Sequence, residues 1–537
     1  MSRRWLSSSA LALAFLAALA WWAWDAWRPP RLNVLVLTVE STRAGDFTPE
    51  NLPNVFQAAE GALRFENHRA VSAWTAPNIL AILTGLSSFA QGVHARDQSL
   101  SAEGRPPLGE LAREGWRVAG LQSFMVTGIF ENMGMAFEPG VNLVPWLARA
   151  AREKRSFVLW HHYLETHLPY APPAPFAPDW RALLPPGDAA AVARVGAVTK
   201  EPVIPAGSVA FKPSDRAAIR ALYLGNLRAF DAWFAELWRF LGDSGLLANT
   251  VVVLTADHGE EHLERGLVGH ASTTRDGHLH EEIVRLPLLV WLPPSLGAKA
   301  QSFGHETRHT DILPSLLAWL GRGAVPPGHG LFATDARAWS AVSSRAGFAE
   351  PDPRNISAFV FARKEGDWKF HLHMEGERVV RRALFDLSSD PDERVNLVSR
   401  EPERARRMEA AILAARAAMQ SPRMAEARAE RVAERPAWVF PAASGPITHR
   451  AFEGRVRLEW TGHPKGAYVV QYEAGEGARA LAGELRVVGT AKDFGRVERD
   501  YWDTFVVPYR VFRVRVGPEG RADLWSPWLE LEARPAP

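Results

Sequence analysis

The stretch that most limits what this chain can fold into is residues 251–261, VVVLTADHGEE. Four apolar residues and Thr255 read as a buried strand, which we expect to be the last strand of a parallel sheet. The run then breaks into Asp257, His258, Gly259, Glu260 and Glu261, five positions without an apolar side chain. In open α/β sheets ligands bind in the crevice beyond the carboxyl ends of the strands. Asp257 and His258 there supply oxygen and nitrogen donors suited to a divalent metal. A helix N-terminus carrying acids for dipole reasons is the competing reading.

Two further stretches bear on that choice. After a Pro29-Pro30 break, residues 32–39, LNVLVLTV, read as a second fully buried parallel strand, ending at Glu40. A carboxylate at that tip can face Asp257 at the tip of the later strand, although a helix-capping role suits it equally. Residues 73–86, AWTAPNILAILTGL, have the spacing of a buried helix with Thr75 in its first turn. There backbone N–H groups converge on an anion; a plain Thr cap with Pro77 behind it is the alternative. Residues 216–241 form a long amphipathic pattern, with Ile219, Leu222, Leu227, Phe230, Phe234 and Leu237 on or near one face. This helix leads into the VVVLTADHGEE strand, the order of an αβ unit.

These segments together resemble the alkaline phosphatase and sulfatase superfamily. Glu40 in VESTR, Thr75 in WTAPNILAILTG and Asp257 with His258 in TADHGEE match, in order, its first-strand acid, its nucleophile followed by x-Pro, and its Asp-His-Gly-Glu metal element. Residues 163–173, YLETHLPYAPP, resemble the His-x-Pro-Tyr loop and place His167 at the substrate site. Residues 279–287, 310–321 and 384–397 are similar to the segment after the metal element, a later helix and a closing strand. The resemblance covers roughly residues 31–420 and implies an α/β fold with a mostly parallel central sheet flanked by helices.

Departures from the pattern shape the expected chemistry. Sulfatases of this family use a formylglycine made from Cys or Ser, with an Arg two residues after the Pro. Here Thr75 stands at that position, Asn78 and Ile79 follow Pro77, and the chain has no cysteine at all. A Thr cannot become formylglycine. Thr-nucleophile members resemble lipoteichoic acid synthases and phosphoethanolamine transferases, so the resemblance implies a hydrolase or transferase acting on phosphate esters or phosphodiesters. A sulfuric ester hydrolase and a catalytically inactive scaffold are the alternatives. The implied metal site is Glu40, Asp257, His258 and Thr75, and mixed oxygen and nitrogen donors favour Mn2+ or Zn2+ over Mg2+ or Ca2+. His167 is expected to stabilise a non-bridging oxygen or protonate the leaving alkoxide. A further site histidine is expected after the metal element: His270 aligns best, with His278 and His280 as rivals. Glu260 and Glu261 read as residues of the following turn.

The rest of the chain supplies organisation. Arg3 and Arg4 precede an uncharged stretch, residues 5–24, ending in Trp21, Trp22 and Trp24 with Trp27 just beyond. About 20 apolar residues span a bilayer, leading positive charge favours a cytoplasmic N-terminus, and Trp clusters sit at the interface. We therefore expect residues 1–28 to be a single-pass membrane anchor, or a signal peptide cut near Ala18-Leu19-Ala20, with the main body periplasmic or extracellular. With 62 basic and 60 acidic residues the net charge is +2, and no basic patch interleaved with aromatics marks nucleic acid as a partner. The expected partner is a phosphorylated, or alternatively sulfated, small molecule, lipid or glycan.

Residues 172–205, rich in Pro and Ala, read as a loop forming a lid or substrate-selecting wall. Residues 401–431 read as a solvated helix, with a linker over 421–435. From residue 436 to 537 short alternating strands follow, at 455–460, 468–472 and 509–516. This resembles a fibronectin type III-like β-sandwich, with Trp460 in its second strand and LWSPW at 524–528 before its last. A binding or spacer module is its natural role. Trp525 and Trp528 can stack on a sugar or pack in the domain.

Overall fold

The structure, a computed structural model, describes residues 31–94, 98, 100, 107–121, 128–130, 132–138, 141–326, 328–335, 337–347, 358–417, 435–450, 455–462, 466–475, 481–497, 499, 502–518 and 524–535. The anchor expected over residues 1–28 and most of the linker lie outside the described residues. Among the described residues no helix is long and apolar enough to cross a membrane.

A nine-stranded sheet carries the larger part. Its strands are β1 (Asn33–Val39), β2 (Leu63–Arg69), β3 (Arg117–Gly120), β4 (Ala136–Phe137), β5 (Phe157–Tyr163), β6 (Thr250–Ala256), β9 (Arg285–Leu286), β10 (Leu288–Trp291) and β11 (Gln301–Arg308). The pair β7 (Glu261–His262) and β8 (Val268–Gly269) stands apart from it. The order is β11-β2-β10-β6-β1-β5-β3-β4, with β9 beside β2. Strand β1 runs parallel to both β5 and β6, whereas β10 is antiparallel to β2 and β6. β6 is therefore not the last strand of a parallel sheet. It lies in the middle, covered on one edge by the antiparallel β10, because residues 281–291 fold back along it.

Both faces of β1 are buried, which explains its unbroken apolar run. Val34 and Val36 pack on one face with Trp74, Ile79, Leu80 and Leu83 of the segment around the helix Thr75–Thr84. Leu35, Leu37 and Val39 pack on the other with Phe230, Phe234 and Leu237 of the helix Arg216–Asp243. Residues 172–205 are not loop alone: the helix Ala189–Val198 begins at Asp188, whose side chain accepts from the Ala191 N–H. Its run of Ala and Val lacks the polar stripe that marks a surface helix in sequence, and Val195 and Val198 are buried under Ile219 and Tyr223.

Strands β12 (Trp339–Ser344), β13 (Ala358–Glu365), β14 (Trp368–Glu375) and β15 (Arg378–Asp386) make a second, antiparallel sheet. The helix Pro402–Ala417 packs on it through Met408 and Ile412. Residues 384–397 are mostly irregular, with only residues 384–386 in a strand. The C-terminal region is all-β. Trp438–Phe440, Arg455–Trp460 and Ala491–Arg496 form one sheet, and Gly445–Ile447, Leu529–Ala533, Val511–Pro518, Ala467–Ala474 and Leu481–Val488 form another. Their common core includes Trp460, Tyr468, Val470, Val516 and Leu531. Trp525 and Trp528 both pack against the guanidinium of Arg515, 4.8 and 4.6 Å from their ring centroids.

Candidate active site

Parallel pairing of β1 and β6 sets Val39 opposite Ala256, so the next residues, Glu40 and Asp257, leave adjacent strand tips side by side. Both are buried. Glu40 N–H is held by Tyr163 O at 2.9 Å, and Ser41 turns the chain with φ of 53°, a costly value for a residue with a Cβ. That turn aims the Ser41 N–H at Asp257 Oδ1 (3.0 Å) and its hydroxyl at Glu40 Oε1 (2.9 Å).

Thr75 is the first residue of its helix. Its Oγ1 lies 3.3 Å from Glu40 Oε2 and 3.3 Å from His258 Nε2. The loop before it is locked by Asn78. The Asn78 carbonyl oxygen accepts from the N–H groups of Val71 and Ser72, and its amide donates to Ser72 O and Trp74 O, all at 2.9 to 3.0 Å. Asn78 is thus the device that fixes the loop leading into Thr75, a role its sequence position alone did not disclose.

His258 has Nδ1 2.8 Å from Gly259 O, so that nitrogen carries the proton and Nε2 is turned to Glu40, Asp257 and Thr75. Gly259 is required there: a Cβ would stand 2.0 Å from Glu282 O. His270 Nδ1 donates to Glu260 Oε1 at 3.0 Å, which leaves His270 Nε2 as a bare, buried acceptor without a partner. Asp257 Oδ1 accepts from two N–H groups, while Oδ2 is buried 3.2 Å from His258 Nε2. Glu40, His258 and His270 bring donor atoms close enough together to hold one ion, and Glu40, His162 and Asp257 form an overlapping group.

The electrostatics call for a cation. Among the described residues no Lys or Arg ion-pairs with Glu40 or Asp257. Burial opposes charge on His258, but Asp257 and Glu40 outweigh it and raise its imidazolium pKa to about 10. Burial works to raise Glu40, and His258 and His162 outweigh it and hold it well below the usual carboxylate range. Burial, with the charge of Glu40, pushes Asp257 up. Two carboxylates facing His258 and the unpartnered His270 Nε2 fit a divalent metal better than they fit a lone proton.

His162, not anticipated from sequence, orients the acid. Trp160 Nε1–H donates to Thr38 Oγ1 (2.9 Å), Thr38 contacts His162 Nδ1 (2.7 Å), and His162 Nε2 reaches Glu40 Oε2 (2.9 Å). The signal was the WHHY strand end; what was invisible was its parallel register with Thr38.

Of the residues expected here, Glu40, Thr75, Asp257, His258 and His270 converge. His167 stands beside them, its ring 5.1 Å from that of His270. Its Nδ1 meets Leu168 O, and burial with the nearby His270 lowers its pKa. His278 and His280 are not part of this cluster, because residues 278–280 lie against β14: His278 bonds Glu261, and His280 faces Glu393. Nor are Glu260 and Glu261 mere turn residues. Both are fully buried; Glu260 accepts from Tyr170 as well as His270, and burial raises its pKa to about 7.

Comparison with known proteins places the fold. A family model described as Sulfatase matches residues 141–322, which hold His167, Asp257, His258 and His270. Arylsulfatase K of Bos taurus is 28% identical over 196 residues, 34% of this chain and 34% of that protein. The multifunctional alkaline phosphatase superfamily protein PehA of Trinickia caryophylli is 25% identical over 157 residues, 29% of this chain and 25% of its own. The chain thus spans about a third of the length of the first curated relatives it matches. The crystal structure of phosphonate monoester hydrolase of Agrobacterium radiobacter superposes with a TM-score of 0.54 at 18% identity, over 73% of this chain and 96% of that one. The fold is that of the sulfatase-like hydrolases.

Proposed function

We propose that this chain is a metal-dependent hydrolase or transferase of the sulfatase-like fold, acting on a phosphate ester or phosphodiester through Thr75. The observation that carries the reading is the convergence of the Thr75 hydroxyl on Glu40 and His258, beside the buried carboxylate of Asp257 and the unpartnered His270 Nε2.

Glu40, Asp257, His258 and His270 would hold the metal, with Thr75 at its edge. Bound there, a divalent metal supplies Lewis acidity that lowers a hydroxyl pKa and neutralises phosphoryl charge. Thr75 Oγ1 attacks phosphorus, the bond from phosphorus to the leaving oxygen breaks, and the proton lost by the Thr75 hydroxyl ends on the leaving oxygen. Water or an acceptor alcohol then attacks the same phosphorus, the bond to Thr75 Oγ1 breaks, and the proton the nucleophile loses returns to the Thr75 oxygen, with His167 beside the site to relay it.

Hydrolysis of a sulfuric ester is the second reading, favoured by the likeness to arylsulfatase K. It fits Thr75 less well, because a threonine offers no route to formylglycine. The substrate is a phosphorylated small molecule, lipid or glycan. Residues 1–28 anchor the chain in a membrane with the catalytic part periplasmic or extracellular, as their charge and Trp pattern suggest. The C-terminal sandwich is a fibronectin type III-like binding or spacer module.

The test is to assay aryl phosphodiester, phosphomonoester and sulfate-ester substrates with Zn2+ or Mn2+, beside Thr75→Ala. Activity on a phosphorus ester that falls by about 10³-fold or more in the variant is expected. Turnover of the sulfate ester alone would favour the second reading, and an inert, metal-loaded protein would leave only a scaffold.

A further inference from the structure

The two histidines that sequence offered as rivals of His270 point to a different place. His280 precedes the short helix Glu281–Val284, His371 lies on β14, and Glu393 lies in the loop after β15. All three are buried. His371 Nε2 is 2.8 Å from Glu393 Oε1, and His280 Nδ1 is 3.2 Å from Glu393 Oε2. The two imidazoles stack with centroids 4.5 Å apart and planes 28° apart, so both present a nitrogen to one carboxylate.

Two independent features mark this trio as more than packing. His280 Nδ1 and His371 Nε2, both buried, converge on the two oxygens of one carboxylate, and the three residues bring donor atoms close enough together to hold one ion. Glu393 holds φ of 52°, a left-handed conformation rare for a residue with a Cβ, and by it delivers a fully enclosed carboxylate. The neighbouring trio Glu261, His278 and Glu282 lacks the paired imidazoles and the left-handed residue. The His280 N–H reaches His278 Nδ1 at 3.3 Å, so His278 Nε2 carries the proton for Glu261, and Glu282 is paired with Arg265 at 2.9 Å.

We propose that His280, His371 and Glu393 form a second divalent-cation site, separate from the Glu40 centre, that staples residues 280–284 to the four-stranded sheet. Two imidazole nitrogens and a carboxylate are donors suited to Zn2+, and a site closed to solvent is the structural kind. Lys369 is the competing cation, 3.2 Å from Glu393 Oε1, and it also holds Glu281 at 2.8 Å, where it stays when the metal binds. The staple has a functional address. Ile283 O and Glu282 O receive the N–H groups of Gly259 and Glu260 at 2.7 and 3.1 Å, and Val284 O receives that of Ala70 at 2.9 Å. Bracing residues 280–284 therefore braces the loop that carries His258 and the approach to Thr75 from behind.

The full chain, freed of metal with a chelator and dialysed, is titrated with Co2+ and Zn2+, and the bound metal is counted per chain. The His280→Asn, His371→Gln double variant is expected to hold one equivalent fewer than wild type. His373→Gln, on the same strand but outside the trio, is expected to hold as many as wild type. A chain carrying Glu40→Gln and Asp257→Asn is expected to keep one tightly held equivalent with the visible absorption of imidazole-bound Co2+. That last arm does not depend on whether the double variant folds, and it separates this site from the Glu40 centre. Equal stoichiometry in wild type and the double variant, an equal loss in His373→Gln, or no tight Co2+ in the Glu40 and Asp257 variant would overturn the proposal.

Discussion

Glu260 Oε1 accepts the Nδ1–H of His270 at 3.0 Å, and this one hydrogen bond decides which nitrogen His270 turns to Glu40 and His258. Carboxylates behind ligating histidines fix tautomer and ring orientation, and losing one weakens metal binding about 10- to 100-fold. Glu260→Gln should therefore raise the metal dissociation constant by roughly that factor, measured by chelator competition. Unchanged affinity would mean that His270 is not a ligand.

Asn78 satisfies four backbone groups of residues 71–74 from within the core. Its removal strands buried donors and acceptors, at about 1 to 3 kcal/mol each before relaxation. We expect Asn78→Ala to lose about 3 kcal/mol of stability in urea unfolding and to lower kcat by more than it raises KM. A neutral effect on both would show that the loop holds itself.

His94, His262 and His309 are buried neutral, with pKa values lowered chiefly by burial to about 4, 3 and 3. An unfolded histidine titrates near 6.5, so below that pH the unfolded chain binds protons that the folded chain refuses. Stability is complete above about pH 6.5 and falls as the pH drops toward the folded values. At pH 5 each group costs about 2 kcal/mol. Denaturant midpoints at pH 8 and pH 5 measure this, and replacing His309 with Gln should reduce the difference; an identical slope would contradict it.

The sequence made the strand tips legible because their chemistry is local. An apolar run that breaks into Asp257 and His258 needs no partner to be noticed, and Glu40 and Thr75 announce themselves the same way. What escaped depends on pairing. The position of β6 within the sheet depends on where β10 folds back, and His162 acquires its role only through register with Thr38. His278 and His280 stand eight and ten residues beyond His270, yet the chain between turns them toward β14, where His280 stacks on His371. The helix Ala189–Val198 was hidden by its composition, since Ala and Val without a polar stripe carry no helical period.

In the proposed reaction the Thr75 hydroxyl forms the bond to phosphorus. Its most direct test is to mix metal-loaded protein with an aryl phosphodiester, quench in acid within the first turnover, and weigh the peptide that contains Thr75. That peptide is expected to gain the mass of the transferred phosphoryl group in wild type and in Thr75→Ser, and not in Thr75→Ala, which should also be inactive. Full activity in Thr75→Ala, or a burst of product with no added mass on that peptide, would contradict it.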